Sequence, residues 1–262
     1  MHIITGGCSF TEGDNNNPSW PQLLTQSLKF FDSRTHTAKA MQDNGMIMRK
    51  AMHAVHKLKK QNKTDILLLV MWSGFSRHSY ISISDDYISK QNTMTEGVAD
   101  WIYNSQGVDL EGNVVQDNQT PGWMYWSPRF LHTSTRLEEH AWKFTNSYSD
   151  WEKTTQYMIS LQNFCVANGV KYYWATFDNK WEHFYKHVIL KNNLSTLTWM
   201  WEEINFKNRF LKVGMWDWVN KINSHNIFHK AYKPDGFHPS VESHNYMVNN
   251  ELIPFLKQNS VY

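Results

Sequence analysis

Little in this sequence is charged to one side, cross-linked or continuously apolar, and each shortage removes a class of protein. Its 26 Lys and Arg against 24 Asp and Glu leave a formal net charge of +2. That is too small to argue for a nucleic-acid groove or an anionic membrane surface, so neither is expected as a partner. No run of five or more like charges occurs, so no charged tail is indicated. The densest basic cluster, Lys57-Leu58-Lys59-Lys60, reads as the solvated end of a helix. Two cysteines, Cys8 and Cys165, cannot form a disulfide framework, and their apolar surroundings suit reduced, packed thiols. No apolar run approaches the length needed to cross a bilayer. The opening His2-Ile3-Ile4-Thr5 is strand-like and lacks the apolar stretch of a signal peptide. The expectation is a cytoplasmic protein, or one associated with a virion assembled inside a cell. On that reading the N-x-S/T matches at Asn62, Asn118 and Asn193 carry no meaning. Internal repeats and Gly/Ser/Pro-rich linkers are also missing, and nothing calls for a cofactor.

What is present is enough apolar material for one sizeable core: 262 residues, 41% of them hydrophobic. The pattern alternates between strands and helices. Residues 2–5 form a short strand that ends at Gly6-Gly7, and residues 35–39 offer a second. Asp65 to Trp72 is an unbroken apolar run, as in a strand buried on both faces of a parallel sheet, and Val170 to Phe177 is another. Between them, Ser19-Trp20-Pro21 opens a helix running to about Leu28. Ile47, Ala51, Val55 and Leu58 mark a helix from about Asn44 to Lys60. Ser149 and Glu152 match a capping box, ahead of a stripe of Trp151, Met158, Leu161 and Cys165 that stops at Gly169. Residues 181–222 contain two or three further helical segments. Ser240 opens a last helix, with Pro254 expected to bend or fray its final turn. Residues 77–148 lack sustained periodicity and read as an insertion, with a hairpin around Glu111-Gly112-Asn113. The chain holds 13 Trp, many of them mid-sequence. Flat indole rings can serve as sugar platforms, but the reading favoured here is that they pack an irregular insertion. Strands alternating with helices imply an α/β fold whose parallel sheet is covered on both faces, with chemistry at the carboxyl ends of the strands.

Two constellations at opposite ends of the chain carry that chemistry. Gly7-Cys8-Ser9-Phe10-Thr11 follows the first strand, and Asp235-Gly236-Phe237-His238-Pro239-Ser240 precedes the last helix. A serine hydroxyl needs a nearby base to act as a nucleophile at neutral pH. An imidazole can take that proton and return it, provided a carboxylate holds its tautomer. An Asp three residues before a His, in one tight loop, can turn back onto the ring, and Pro239 stiffens the exit. Cys8 adjoins Ser9 but is expected to point into the core.

These residues resemble the blocks of the SGNH (GDSL-like) hydrolases. Gly7-Cys8-Ser9-Phe10 is similar to the family's Gly-Asp-Ser-Leu block, and Asp235-x-x-His238-Pro239 matches its last block in full. Ser19 to Leu24 looks like the family's first helix. Met41 to Arg49 and Trp72 to Arg77 are similar to the second- and third-block regions of variants found in bacteriophage genomes. The resemblance covers both ends well and the middle poorly. It implies a single domain over 1–262: a three-layer α/β/α sandwich around a flavodoxin-like, five-stranded parallel sheet, with the insertion at about 77–148. It also implies hydrolysis of a carboxylic ester through an acyl-Ser9 intermediate, with His238 and Asp235 as the base pair and a small-molecule or carbohydrate ester as substrate. The oxyanion hole then comprises the N–H groups of Ser9 and of Ala40, which stands where the family has glycine. The third block's asparagine donor is missing. Ser73 or Asn44 is the candidate substitute, since losing one such donor costs on the order of 100- to 1,000-fold in rate. Arg77, past the third strand, is a candidate substrate contact, and Arg49 a further candidate for an anionic group.

Other readings use other features. His53/His56, His183/His187 and His225/His229 lie at helical spacings, but Trp181-Glu182-His183 lacks the His-Glu-x-x-His order of a zinc site and no third ligand can be named, so no metal is expected. The missing asparagine and the many Trp also fit a carbohydrate-binding or virion-associated module on a catalytically silent hydrolase fold. Acyl transfer uses the same residues as hydrolysis and differs in the acceptor.

Overall fold

The structure, a computed structural model, describes residues 1–13, 17–38, 42–75, 78–82, 122–126, 147–211, 214–224, 231–233 and 238–261. Among these residues the strands are β1 (His2–Gly6), β2 (Ser33–His36), β3 (Ile66–Trp72), β4 (His78–Ser82), β5 (Gly122–Trp126) and β6 (Lys171–Thr176). The helices are α1 (Ser9–Glu12), α2 (Trp20–Ser27), α3 (Asn44–Lys60), α4 (Ser147–Ala167), α5 (Lys180–Phe184), α6 (Ser195–Glu203), α7 (Met215–Ser224), α8 (Val241–Met247) and α9 (Ile253–Gln258). No helix among the described residues is long and apolar enough to cross a membrane.

Successive side chains of a strand point to opposite faces, and this alternation sorts the core into two halves. Ile4, Leu68, Val70, Trp72, Tyr172 and Trp174 face one side and pack against α3 and α4. Ile3, Leu67, Leu69, Met71 and Tyr173 face the other and pack against α2, α7, α8 and α9. The result is the expected α/β/α layering. All seven residues of β3 are buried. At roughly 1.5–3 kcal/mol per fully buried large apolar side chain, this strand is the principal apolar contribution to the sheet.

The strands pair in parallel in the order β2-β1-β3-β6. The expected count of five is therefore corrected to four strands among the described residues. The fifth position is held by one residue: Phe210 makes a single parallel bridge to Trp174. Trp174 N–H donates to Arg209 O (2.8 Å) and Leu211 N–H donates to Trp174 O (2.8 Å). Residues 207–209 are in a turn immediately before it, which leaves too little extended chain for a ladder. β4 and β5 form a separate antiparallel pair inside the 77–148 stretch, while the hairpin expected near residue 112 lies outside the described residues.

Helix ends follow local chemistry. Asp43 caps α3 by accepting from Met46 N–H (2.7 Å). Asn62 and Asn193 adopt left-handed φ values of 60° and 54° just past helical segments, where Asn is tolerated better than most residues. Their presence needs no glycan. Gly169, at φ 61°, ends α4, with Val170 N–H reaching back to Cys165 O (2.9 Å). Ser149 does not cap α4, because the helix already includes Ser147 and so places Ser149 inside its first turn. Ser240 does cap α8, accepting from Ser243 N–H. Pro254 does not fray the last helix. A π-helical turn, Val248–Leu252, precedes it, and the helix then runs on to Gln258. Widening the turn is a standard way to absorb the hydrogen bond and the space that a proline ring removes.

The described Trp residues mostly pack this scaffold. Trp151 stacks with Trp181 and Tyr185 at 6.1 and 5.9 Å, and its Nε1–H donates to Trp181 O (3.0 Å). Cys8 and Cys165 are free and buried. Burial pushes the Cys165 thiol up to about 12.

His244 on α8 is buried beneath the C-terminal constellation. Burial first, then the charges of Lys233 and His238, pushes its pKa down from 6.5 to about 3. Between those values the unfolded chain holds a proton that the folded chain does not, so stability falls as pH is lowered from 6.5 toward 3. Burial depresses His36 in the same direction. Replacing His244 with Phe is expected to flatten the dependence of the urea midpoint on pH in this window, by up to about 1.4 kcal/mol per pH unit at its steepest. An unchanged slope in His244→Phe rejects the assignment.

Candidate active site

β1 delivers Gly7 and Cys8 to the carboxyl edge of the sheet, and Cys8 O accepts from Thr11 N–H (2.8 Å) and Glu12 N–H (3.0 Å). The chain thus turns from strand into the one-turn helix α1. Cys8 and Phe10 point into the core, while Ser9 between them is half-buried. Gly7 is required by packing: a Cβ there would lie 2.7 Å from Thr11 Cβ and 3.1 Å from Met71 O. Gly13 is required by conformation, at φ 57° with Ser19 N 2.6 Å from a Cβ position.

Buried polar groups clamp this turn. Trp20 Nε1–H donates to Thr11 Oγ1 (3.2 Å) and Ser19 Oγ–H donates to Thr11 O (2.6 Å). His36 bridges Thr5 Oγ1 (2.8 Å, through Nδ1) and Glu12 O (3.0 Å, through Nε2). Burial lowers its pKa, which suits a neutral ring that donates to the carbonyl and accepts from the hydroxyl. With its amide turned so that both its ends are satisfied, Gln42 donates N–H to Gly7 O (3.2 Å) and accepts from Lys50 Nζ (2.6 Å). Lys50 is only 2% exposed and is linked to the serine turn through Gln42.

At the next strand end, Ser73 follows β3. Ser73 N–H donates to Asn44 Oδ1 (2.7 Å), and Asn44 Nδ2 donates to Ser73 O (3.1 Å) and to Thr154 Oγ1 (3.1 Å). Both amide hydrogens of Asn44 are therefore engaged, and its side chain acts as a strut for Ser73 and not as an open donor. Ser73 Oγ, in contrast, is buried with no hydrogen-bond partner among the described residues.

The C-terminal constellation reaches the same edge. Lys233 N–H donates to His238 O (2.7 Å), Ser240 N–H to Ala231 O (3.0 Å), and Tyr232 and Pro239 form an antiparallel bridge. The two ends of the loop are thereby closed on each other. The half-buried His238 ring packs on Phe10 at 5.2 Å between centroids. Phe10 also meets Phe177 edge-on at 4.4 Å and Trp216 at 6.1 Å, and Trp216 meets Tyr232 at 5.5 Å. Asp235, Ala40 and Arg77 lie outside the described residues.

Ser9 follows β1, Ser73 follows β3, and the His238 ring packs on Phe10. Phe177, Trp216, His36, Gln42 and Lys50 did not stand out in the sequence. Phe177 was legible as the end of a strand. A buried lysine carries no local sequence signal. Among the described residues no His, Cys, Asp or Glu group of three or more is placed to hold a metal ion. His183 and His187 are surface rings 4.2 Å apart, and His225 and His229 lie outside the described residues.

No protein-family model matches the chain, and no curated protein matches it. Solved structures to which it is similar include the psychrotrophic esterase EstA from Pseudoalteromonas sp., inhibited by monoethylphosphonate. That likeness has 12% identity and a TM-score of 0.45 over 98% of this chain and 97% of that one. A lipolytic protein of the G-D-S-L family from Desulfitobacterium hafniense DCB-2 matches at 12% identity and a TM-score of 0.42, over 95% of each chain. The lipase Lip_vut3 from a goat rumen metagenome matches at 10% identity and a TM-score of 0.40, over 99% of this chain and 97% of that one.

Because a Cβ at position 7 meets backbone as well as a side chain, Gly7→Ala is expected to displace the serine turn and lower stability by about 1–3 kcal/mol. Chemical denaturation measures this, and a wild-type midpoint contradicts the packing described.

Proposed function

We propose that this chain is an ester hydrolase acting through an acyl-Ser9 intermediate, with His238 as general base and Asp235 as the carboxylate that orients it. The observation that carries the proposal is the packing of the His238 ring on Phe10, the neighbour of Ser9 in the chain. A residue from the chain's end is thus held beside one from its start. Phe10 is fully buried, and this contact supports reading the imidazole as a neighbour of the serine turn.

In the reaction, His238 takes the Ser9 proton as Oγ attacks the ester carbonyl. The proton then passes to the departing alcohol. Water, deprotonated by the same imidazole, attacks the acyl-enzyme and releases the acid. Charge builds on the carbonyl oxygen in both steps. The proposed donors are the N–H groups of Ser9 and Ala40 and the hydroxyl of Ser73. Ser9 N–H belongs to a first helical turn, whose amides lack intrahelical acceptors. Ser73 Oγ–H is favoured over Asn44 because the asparagine's hydrogens are engaged, whereas a buried hydroxyl without a partner among the described residues gains from a substrate acceptor. Arg77 is the proposed contact on the rim, and an O-acetylated carbohydrate the proposed form of substrate.

Ser9→Ala is expected to reduce p-nitrophenyl acetate turnover to the uncatalysed background, and wild-type turnover is expected to fall toward acid pH as an imidazole takes up its proton. Equal rates for wild type and Ser9→Ala, with glycan binding retained, favour a non-catalytic carbohydrate-binding module instead. Ser73→Ala is expected to lower kcat by roughly 100- to 1,000-fold with little change in KM. A wild-type kcat for Ser73→Ala removes that hydroxyl from the oxyanion hole.

A further inference from the structure

A second concavity opens at the same edge of the sheet, beyond β6 and away from Ser9. It encloses about 420 Å³ and is lined by Trp181, Trp201, Phe206 and Phe210, with Glu182 and Lys186 at its lip. Its size falls within the roughly 300–1,000 Å³ typical of small-ligand sites. We propose that this cavity binds a neutral pyranose ring of a glycan.

The lining is divided in a way that selects such a ligand. One part is flat and aromatic. Trp201 stacks on Tyr185 at 4.0 Å with planes 3° apart, lies 4.8 Å from Trp181 and 4.4 Å from Phe206. Trp201 and Phe206 are only half-buried, so part of this surface is open to a ligand. A pyranose presents a face of C–H groups that suits such rings, with hydroxyls around its rim. The other part of the lining supplies partners for hydroxyls: Glu182 accepts, Lys186 donates, and Thr176 and Asn179 add polar groups. Glu182 and Lys186 pair at 2.5 Å across one helical turn. The site therefore offers hydrogen bonds without net charge. An acyl chain would make no use of the polar side of the lining, and a phosphate-bearing ligand would need an excess of cations.

The aromatic surface is held rigidly. Trp181 Nε1–H donates to Thr155 Oγ1 (3.1 Å), and Phe210 is fixed by its bridge to β6. Thr176 is in register with Trp72, the residue before Ser73. The cavity thus begins two strands from β1, a lateral distance of roughly 10 Å at the usual strand spacing. That distance is on the scale of a few sugar units. The cavity stands on its own geometry; only its service to the substrate rests on the esterase reading.

The test uses full-length Ser9→Ala protein, titrated with cellotriose, xylotriose, maltotriose and tri-N-acetylchitotriose, with binding followed by Trp fluorescence and calorimetry. At least one is expected to bind with a Kd on the order of 1 mM. Glu182→Gln, a surface change, is expected to weaken that binding several-fold, and Trp201→Ala at least about tenfold if circular dichroism shows it folded. The absence of binding by all four sugars at roughly ten times that concentration overturns the proposal. So does binding that neither substitution alters, or binding of 1-naphthol without any sugar. Sugar binding in a protein whose wild type lacks Ser9-dependent turnover keeps the cavity and rejects the esterase. Turnover without sugar binding does the reverse.

Discussion

Parallel pairing of β1 with β3 obliges the two strands to leave the sheet at one edge, so that Gly7-Cys8-Ser9 and Ser73 emerge side by side. The other features of the candidate site follow from this constraint. Both strands are buried, so neither can shift register without carrying a set of apolar side chains to the wrong layer. The edge is in this sense as fixed as the core. The C-terminal segment reaches it because α8 and α9 cover the same face of the sheet as α2, which brings His238 onto Phe10.

The support beneath the serine turn is polar and largely buried, and its members depend on one another. His36, Gln42 and Ser19 each bond a backbone carbonyl in the segment Gly7 to Glu12. Such groups are costly to bury singly and are tolerated when every partner is met. Lys50 carries the sharpest version of this cost. Its charge is withdrawn from water, and its contact with Gln42 links α3 to the turn that presents Ser9. The arrangement fits a site that must hold one hydroxyl in a fixed direction, since preorganisation of supporting groups matters more to catalysis than their number.

The layers were legible in sequence because their signals are local. The apolar run Ile66 to Trp72 is buried whichever neighbours it finds, and the spacing of Ile47, Ala51, Val55 and Leu58 defines a helix whose observed bounds are Asn44 and Lys60. The misreadings have local causes as well. Ser149 and Glu152 satisfy the letter of a capping box, but Ser147, two residues upstream, is already helical. Pro254 was read as a breaker, yet a π-helical turn ahead of it preserves the helix. The fifth strand, anticipated from resemblance, is reduced to the Phe210 bridge because the preceding turn leaves no length for more. In the candidate site, Ser9 and His238 stood out by residue type in a loop beside a strand or helix. Lys50, His36 and Gln42 did not, because their roles exist only across elements far apart in sequence.

Asn44 and Ser73 form a strut at the end of β3 whose two parts come from different elements. An asparagine at the end of β3 would offer an amide donor from the strand itself. In this chain the amide comes from α3 instead, and its hydrogens go to Ser73 O and Thr154 Oγ1. The asparagine's hydrogen-bonding capacity is thus used to fix the loop, and the Ser73 hydroxyl has no partner among the described residues. A hydroxyl is shorter than an amide and rotates to suit its acceptor. The strut makes up for the second property by immobilising the backbone that carries it. Ser73 is held at both ends of its residue, through its N–H and its O, so its backbone is ordered before any ligand arrives.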